Sequence, residues 1–316
     1  MTGETKPTIL ITGGSGTLGS ALCIRLVDDG YRVRTLSRSE DKRDKLWRST
    51  REEPYASNIS ILAGDVCDPK RLNIAFRGVD IVVHAAALKR IDMCERDPLE
   101  AKRVNVDGTE NVIQAALEAN VKRAIFISTD KACSPSTLYG STKLNAERMW
   151  LASNAYRTPF MALRYGNVFG SAGSVLHAFK EQEAKGTLTI TDEASTRFNI
   201  TLKQAVQLVM DVMCFGKPGG LYIPKLPSYR LLDFVTAYMS ERSIQGVSKS
   251  GLRPSEKLHE SLISLDESES VSEDTERGYV LEPGKAASPG KRFCYTSESG
   301  PHMTVDQLRQ LIRGYA

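Results

Sequence analysis

Tyr139 and Lys143 stand four residues apart in Leu138-Tyr-Gly-Ser-Thr-Lys143, a spacing that puts both side chains on one face of a helix. An ammonium beside a phenol favours the phenolate, and an oxidised nicotinamide adds more positive charge. Such a tyrosine takes a hydroxyl proton while hydride leaves the same carbon. That chemistry needs a dinucleotide, and the run Thr12-Gly-Gly-Ser-Gly-Thr-Leu-Gly19 supplies a place for one. Gly13, Gly16 and Gly19 let the chain turn tightly, let backbone N–H groups approach a pyrophosphate, and let a helix lie close to a strand. Ser15, Thr17 and Leu18 of the same loop are candidate cofactor contacts.

The elements that must position these groups alternate. Residues 8–12 read as a strand entering the glycine loop, and Leu18, Ala21, Leu22, Ile24 and Leu26 mark a helix that Gly30 stops. Strands follow at 31–36, 59–63, 80–84, 123–128 and 160–164, with helical patterns at 99–119 and 138–155. This pattern predicts an α/β fold built on a Rossmann-type doubly wound parallel sheet. Its crossovers are right-handed, so the ligand crevice lies at the carboxyl ends of the strands.

Beyond Gly170 the alternation loosens, and a smaller C-terminal α/β substrate domain is expected. Helices are predicted at 173–184, 202–215 and 304–313, and a turn at 217–220. Residues 264–277, rich in Ser, Glu and Asp, read as an exposed or mobile loop. The expected division is an NADP-binding domain over 1–170, with 188–216 packing back on it. Residues 171–187 and 217–316 form the substrate-binding region.

Cofactor choice sits at the end of the second strand, where an NAD enzyme places Asp or Glu for the ribose diol. This chain has Ser37-Arg38 there. A guanidinium and a hydroxyl suit a 2′-phosphate, and no carboxylate stands at that position to repel it. The expected cofactor is NADP. Asp65, beside Val66 at the end of the third strand, either accepts from the adenine amino group or caps a helix. Ala85 and Ala86 follow the fourth strand and belong to the same crevice. His84, which ends that strand, reads as a hydrogen-bonded core residue.

The glycine loop, the Tyr139–Lys143 pair and Asn105 in Val104-Asn-Val-Asp-Gly-Thr109 together resemble the extended short-chain dehydrogenase/reductase superfamily. Ile127-Ser-Thr-Asp-Lys-Ala132 and His84-Ala-Ala-Ala-Leu-Lys89 resemble a narrower family within it. These are the soluble, configuration-inverting UDP-N-acetylglucosamine 4,6-dehydratases of pseudaminic acid and capsule biosynthesis. Arg164-Tyr-Gly-Asn-Val168, Thr196-Arg-Phe198, Pro224-Lys-Leu-Pro-Ser228 and Arg253-Pro-Ser-Glu-Lys-Leu-His-Glu260 match in the same order, from residue 8 to about 312.

The resemblance implies an NADP-dependent lyase acting on UDP-N-acetylglucosamine or a close UDP-hexosamine. Tyr139 works with Lys143 and the hydroxyl of Thr129 to oxidise C4. The ketone makes the C5 proton acidic and the C6 hydroxyl eliminable, which calls for a base and an acid. In the resembled family the adjacent aspartate and lysine supply this pair. Our assignment is Lys131 as C5 base and Asp130 as C6 acid, with the reverse left open, after which hydride returns to C6. Lys131 must then lose its proton while Asp130 holds one; desolvation favours both, and direct ion pairing opposes it. By the same resemblance Lys89 and Asn105 contact the cofactor, and Lys89 and Tyr165 lie near the sugar. Arg197 and Arg253 hold the pyrophosphate, Asn167 donates to it, and Glu256 accepts from the uridine ribose. The chain departs from the pattern at Asn199, where a large aromatic is usual, and at Ser255, where glycine is usual. It departs again at Thr296-Ser-Glu-Ser-Gly300, which replaces an asparagine-bearing segment.

A 4-epimerase or a configuration-retaining dehydratase would share the tyrosine chemistry, although many retaining relatives carry methionine in place of Tyr139. A silent NADP-sensing protein would commonly lack the tyrosine or the lysine, and both are present. Composition excludes other classes. A net charge of +4 over 316 residues is too mild to argue for nucleic acid or a membrane surface. No apolar run approaches the roughly 18 residues that span a bilayer. Six scattered cysteines without CxxC spacing read as reduced thiols of a cytoplasmic protein, and the four histidines form no metal cluster. A homo-oligomer, dimer to hexamer, is expected from the relatives.

Overall fold

Ile9, Leu10 and Ile11 have no exposed surface, the pattern of a strand covered on both faces. The computed structural model describes residues 6–52, 56–171, 173–242, 244, 246–284 and 292–315. In chain order, β1 (Thr8–Thr12), α1 (Thr17–Asp28), β2 (Arg32–Ser37), α2 (Glu40–Thr50), β3 (Ile59–Ala63), α3 (Pro69–Ala75) and β4 (Ile81–His84) alternate strictly. Next come α4 (Ile91–Arg96), α5 (Pro98–Lys102) and α6 (Gly108–Glu118), with one π-helical turn at Arg103–Asp107 between the last two. β5 (Arg123–Ile127), a 3-10 turn at Asp130–Ala132, α7 (Leu138–Ala152) and β6 (Phe160–Leu163) complete the half.

β1 to β6 pair in parallel in the order 3-2-1-4-5-6, with Ile9 of β1 opposite Val33 on one side and Ile81 on the other. This is the doubly wound Rossmann-type sheet. The strand order reverses between β1 and β4, so the crevice above those two strand ends is the ligand position in such folds.

The second half contains β7 (Asn167–Val168), α8 (Val175–Gln182), β8 (Thr187–Ile190), β9 (Thr196–Ile200), α9 (Leu202–Phe215), β10 (Leu221–Pro224), β11 (Ser228–Arg230) and α10 (Leu231–Ser240). It ends with β12 (Gly246–Lys249), β13 (Ser261–Ile263), β14 (Val271–Asp274), β15 (Gly278–Leu281), β16 (Tyr295–Thr296) and α11 (Val305–Tyr315). Thr201 and Gln204 form a reciprocal capping box at the start of α9, which packs on α1. A second, smaller core gathers Leu176, Phe179, Phe234, Tyr238, Leu308 and Ile312 from α8, α10 and α11. β10 extends the large sheet in parallel beside β6, β15 pairs antiparallel with β10 and β14 antiparallel with β15, giving nine strands among the described residues. The large sheet therefore draws strands from both sides of the expected division at residue 217.

Residues 264–277 are largely exposed, but they correct the expectation of an exposed or mobile loop in having regular structure. They form a 3-10 turn at Glu267–Ser270 and then β14, the outer strand of the sheet. The charges that suggested a loop protect an open sheet edge from further pairing. Glu267 itself points inward to Arg164.

Candidate functional site

Gly13 adopts φ +72°, and a Cβ there would lie 2.8 Å from the Ala86 nitrogen and 2.9 Å from the Ala85 carbonyl. The loop after β1 thus lies flat against the turn after β4, an approach only glycine permits. A Cβ on Gly19 would meet the Gly13 oxygen at 2.5 Å, so α1 also needs glycine to pack this closely. Gly16 caps α1, where Thr17 begins, and has no side-chain cap; Leu18 packs on the core. Ser15 N donates to Ser37 Oγ at 3.0 Å, which ties the loop to the end of β2. Val66 is buried beside α6.

Arg38 lies at this end of β2, half-exposed, and it is not unopposed. Its Nη1 is 3.5 Å from Asp65 Oδ2 and 3.4 Å from Glu100 Oε1. Arg103 completes the cluster, 2.6 Å from Glu100. No carboxylate stands at the end of β2 itself, as expected, but two from elsewhere reach Arg38. Asp65 and Glu100 arrive from the end of β3 and from α5, so no inspection of β2 reveals them. Burial works against the Asp65 charge, but the Cys67 N–H, Arg38 and Arg103 hold its carboxyl below the usual range. Asp65 caps the turn through that N–H at 3.0 Å, while Asp68 caps α3.

His84 is a neutral core residue. Thr109 Oγ1 donates to the Asn105 carbonyl at 2.7 Å, so it accepts from His84 Nε2 at 3.0 Å, and Thr12 Oγ1 donates to Nδ1 at 2.6 Å. Burial, with Lys143 adding to it, pushes the imidazole down to about 3. Asn105, placed by the π-turn, spends its amide on scaffolding. Its Oδ1 accepts from Leu88 N at 2.8 Å, and its Nδ2 donates to Leu88 O at 3.0 Å and to Thr142 Oγ1 at 3.1 Å. It fastens the loop carrying Lys89 to the helix carrying Tyr139. Burial, with Lys42 of α2 adding to it, lowers the Lys89 ammonium.

α7 starts at the Thr137 cap, which accepts from Gly140 N at 3.1 Å, and buries both Tyr139 and Lys143. Lys143 Nζ donates to the Ile127 carbonyl at 2.7 Å and sits 3.8 Å over the Phe126 ring. Burial pushes its ammonium down to about 7, with Glu147 opposing. Burial also pushes the Tyr139 phenol up to about 12, while Lys131 and a hydrogen bond with Thr129 act the other way. Within this chain Lys131 is a cation that favours the phenolate. Helix spacing brings Lys143 to the correct face, but its ammonium is directed at the strand end. Tyr165, also buried, lies near Tyr139.

The 3-10 turn after β5 puts Asp130 and Lys131 at the same point. Asp130 is 1% exposed; its Oδ1 accepts from Thr129 Oγ1 at 2.9 Å and from Lys131 Nζ at 3.1 Å. Burial raises its carboxyl above the usual range, against the pull of Lys131. Lys131 also reaches Glu260 Oε1 at 3.3 Å. Burial disfavours its charge, yet the two carboxylates raise the ammonium above its ordinary value.

Lys131, Asn167, Arg197, Arg253 and Glu256 line one cleft of about 130 Å³, together with Glu260. Arg197 and Glu256, assigned separate duties from the sequence, pair at 2.9 Å, and Arg197 also donates to the carbonyls of Thr196 and Leu258. Arg253 stands exposed at the mouth. Tyr165 and Lys89 are not among the lining residues. Among the described residues Asp130 Oδ2, Asn167 Oδ1 and Glu260 Oε2 are buried without hydrogen-bond partners; the latter two are acceptors suited to hydroxyl or amide donors.

Sequence reasoning missed Glu260, Lys257 and Ser136 as site residues. Lys257 Nζ donates to the Cys133 carbonyl at 2.7 Å, and Ser136 Oγ donates to the Ser255 carbonyl at 2.7 Å. Both bonds hold the 253–260 segment over the Asp130–Lys131 turn. Ser255 itself has φ +64°, the left-handed region, which is why glycine is the residue expected there. Glu260 closes the quoted 253–260 motif, the one signal that could have singled it out.

The parallel sheet, the glycine loop and the Tyr139–Lys143 pair are those of the short-chain dehydrogenase/reductase class. The chain belongs to the polysaccharide biosynthesis protein family, whose family model matches residues 9–282. It is 38% identical to a UDP-N-acetylglucosamine 4,6-dehydratase (inverting) of Campylobacter jejuni, over 87% of this chain and 82% of the relative. It is 33% identical to a UDP-glucose 4-epimerase of Rickettsia conorii, over 96% and 95%. The solved structure of Pen from Bacillus thuringiensis superposes with a TM-score of 0.90 at 34% identity, covering 98% of each chain. Among the described residues no helix is long and apolar enough to cross a membrane, and no group of three or more metal-binding side chains occurs.

Proposed function

We propose that this protein is a UDP-N-acetylglucosamine 4,6-dehydratase, or acts on a close UDP-hexosamine, inverts C5, and uses NADP. The observation that carries the reading is the Asp130–Lys131 pair at the end of β5, 3.1 Å apart, with Asp130 buried and Lys131 lining the cleft. A 4-epimerase needs the tyrosine but has no use for a buried acid and base beside it. The likeness to the Rickettsia epimerase nevertheless makes epimerisation the second reading.

The cradle formed by Gly13, Gly16 and Gly19 fits a pyrophosphate, and Ser37 and Arg38 fit a 2′-phosphate that displaces Asp65 and Glu100 from Arg38. A bound nicotinamide dinucleotide supplies hydride acceptance from C4 and hydride return to C6. Tyr139 takes the C4 hydroxyl proton, with Thr129 holding the oxygen. Asp130, whose carboxyl burial raises, gives a proton to the departing C6 oxygen. Lys131 handles the C5 proton. Arg253 at the mouth, Arg197 and Asn167 are placed for the diphosphate, and Glu256 for the ribose.

Exposed Met93 and Leu99, on α4 and α5, support self-association. A cytoplasmic location is part of the same proposal, supported by the scattered free cysteines. Incubation with UDP-N-acetylglucosamine in D₂O, followed by proton NMR, tests it. A C6 methyl signal with inverted C5 is expected; UDP-N-acetylgalactosamine as sole product would establish the epimerase instead.

A further inference from the structure

Lys131 lies between two carboxylates: Asp130 at 3.1 Å and Glu260 at 3.3 Å. Glu260 is 4% exposed, its N–H donates to Ser297 Oγ at 2.9 Å, and β13 begins at the next residue, so its position is set by the backbone. Other charged or titratable groups act on this trio. Arg197 Nε is 3.9 Å from Glu260 Oε1, Lys257 approaches Glu260 from the same segment, and the Tyr139 and Tyr229 phenols face the Asp130–Lys131 side.

Two carboxylates and one ammonium in so dry a space favour one carboxyl being neutral. Burial makes that Asp130, while Lys131, Arg197 and Lys257 keep Glu260 charged although burial opposes it. Lys131 then rests as an ammonium, which is no base. On the dehydratase reading it must shed a proton before it can take one from C5, and the nearest acceptor that does not also serve as the acid is Glu260.

We propose that Glu260 is the positioning residue that takes the Nζ proton of Lys131 and so makes it the C5 base. This rests on the dehydratase reading. The Nζ–H bond breaks and an Oε1–H bond forms on Glu260. The neutral amine then removes the C5 proton, and Asp130 gives its proton to the C6 oxygen, which leaves as water. Tyr139 by then holds the C4 hydroxyl proton. The protons on Glu260 and Tyr139 are the two that C5 and Asp130 require back, which closes the cycle without an outside acid.

The test uses the holoenzyme, wild type beside Glu260→Gln and Glu260→Asp. Adding UDP-N-acetylglucosamine to Glu260→Gln should still produce the absorbance of reduced cofactor, because C4 oxidation does not use Glu260. C5 deuterium exchange and C6 methyl formation should fall about 100-fold or more. The residual rate should rise with pH, as Lys131 must then lose its proton to solvent, and Glu260→Asp should recover part of the rate. A Glu260→Gln enzyme with the wild-type rate and pH profile would overturn the relay. So would loss of cofactor reduction in step with product, which marks a structural role. If wild type itself reduces cofactor but forms no C6 methyl, the dehydratase reading fails, and the relay with it.

Discussion

Arg164 donates from Nη2 to Glu267 Oε1 at 2.8 Å across 103 positions of sequence, inside the protein. The guanidinium has no exposed surface and also binds Glu147 and the Leu262 carbonyl. Ser128, at the root of the Asp130–Lys131 turn, donates to Glu147, and Cys133 donates to Glu267. A buried ionic network therefore underpins the turn that carries the chemistry.

Glu267→Ala leaves Arg164 paired with Glu147 but strips two hydrogen bonds from the buried guanidinium. It should destabilise the fold by about 1.5–3 kcal/mol, the scale of a hydrogen bond to a charged group, measured by urea unfolding. Burial opposes the Glu267 charge, but its bonds with Arg164 prevail and hold its carboxyl down to about 2, against an ordinary 4.5. The folded value is the lower one, so the stabilisation is complete above about pH 4.5 and is lost as pH falls through about 2. Glu267→Gln should flatten that acid limb; an unchanged limb would show that Glu267 does not set it.

Tyr139→Phe should lower the rate of cofactor reduction by about 10²- to 10⁴-fold, since the hydroxyl proton loses its acceptor. Its dinucleotide content should be unchanged, because the glycine loop and Arg38 are untouched. Stopped-flow absorbance and cofactor extraction check both parts.

Lys131→Ala should abolish C5 proton exchange with solvent and leave cofactor binding intact. Deuterium incorporation by mass spectrometry reads the first, and calorimetric titration the second. Normal turnover in this variant would remove Lys131 from the mechanism.

At the cofactor corner, Arg38→Ala should weaken NADP binding by about 10- to 100-fold, the scale of a charged hydrogen bond, and NAD binding much less. Glu100→Gln should do the reverse, because it frees Arg38 from a competing carboxylate. Parallel titrations with NADP and NAD decide it, and equal losses for the two would refute the 2′-phosphate assignment.

Ser255→Gly should stabilise the protein by roughly 1 kcal/mol, since a non-glycine residue at φ +64° is strained. The Ser136 bond is to the backbone carbonyl and survives the change. Chemical denaturation measures it.

What the sequence determined by itself is whatever depends on near neighbours. The run Ile9-Leu-Ile11 implies a strand buried on both faces, the glycines imply a tight loop into α1, and four-residue spacing puts Tyr139 and Lys143 on one helical face. Strand length and helical period are local, so they read directly from the residues. Tertiary structure alone decided which charge meets which. Glu267 looked like part of a solvated acidic loop and became the partner of Arg164. Asp65 and Glu100 were far from Arg38 in the chain and adjacent to it in space. Arg197 and Glu256 seemed independent and form a pair, and Glu260 closed a motif until folding set it against Lys131. Side chains carry no mark of the partner they will meet, because that partner is chosen by the packing of elements distant in sequence.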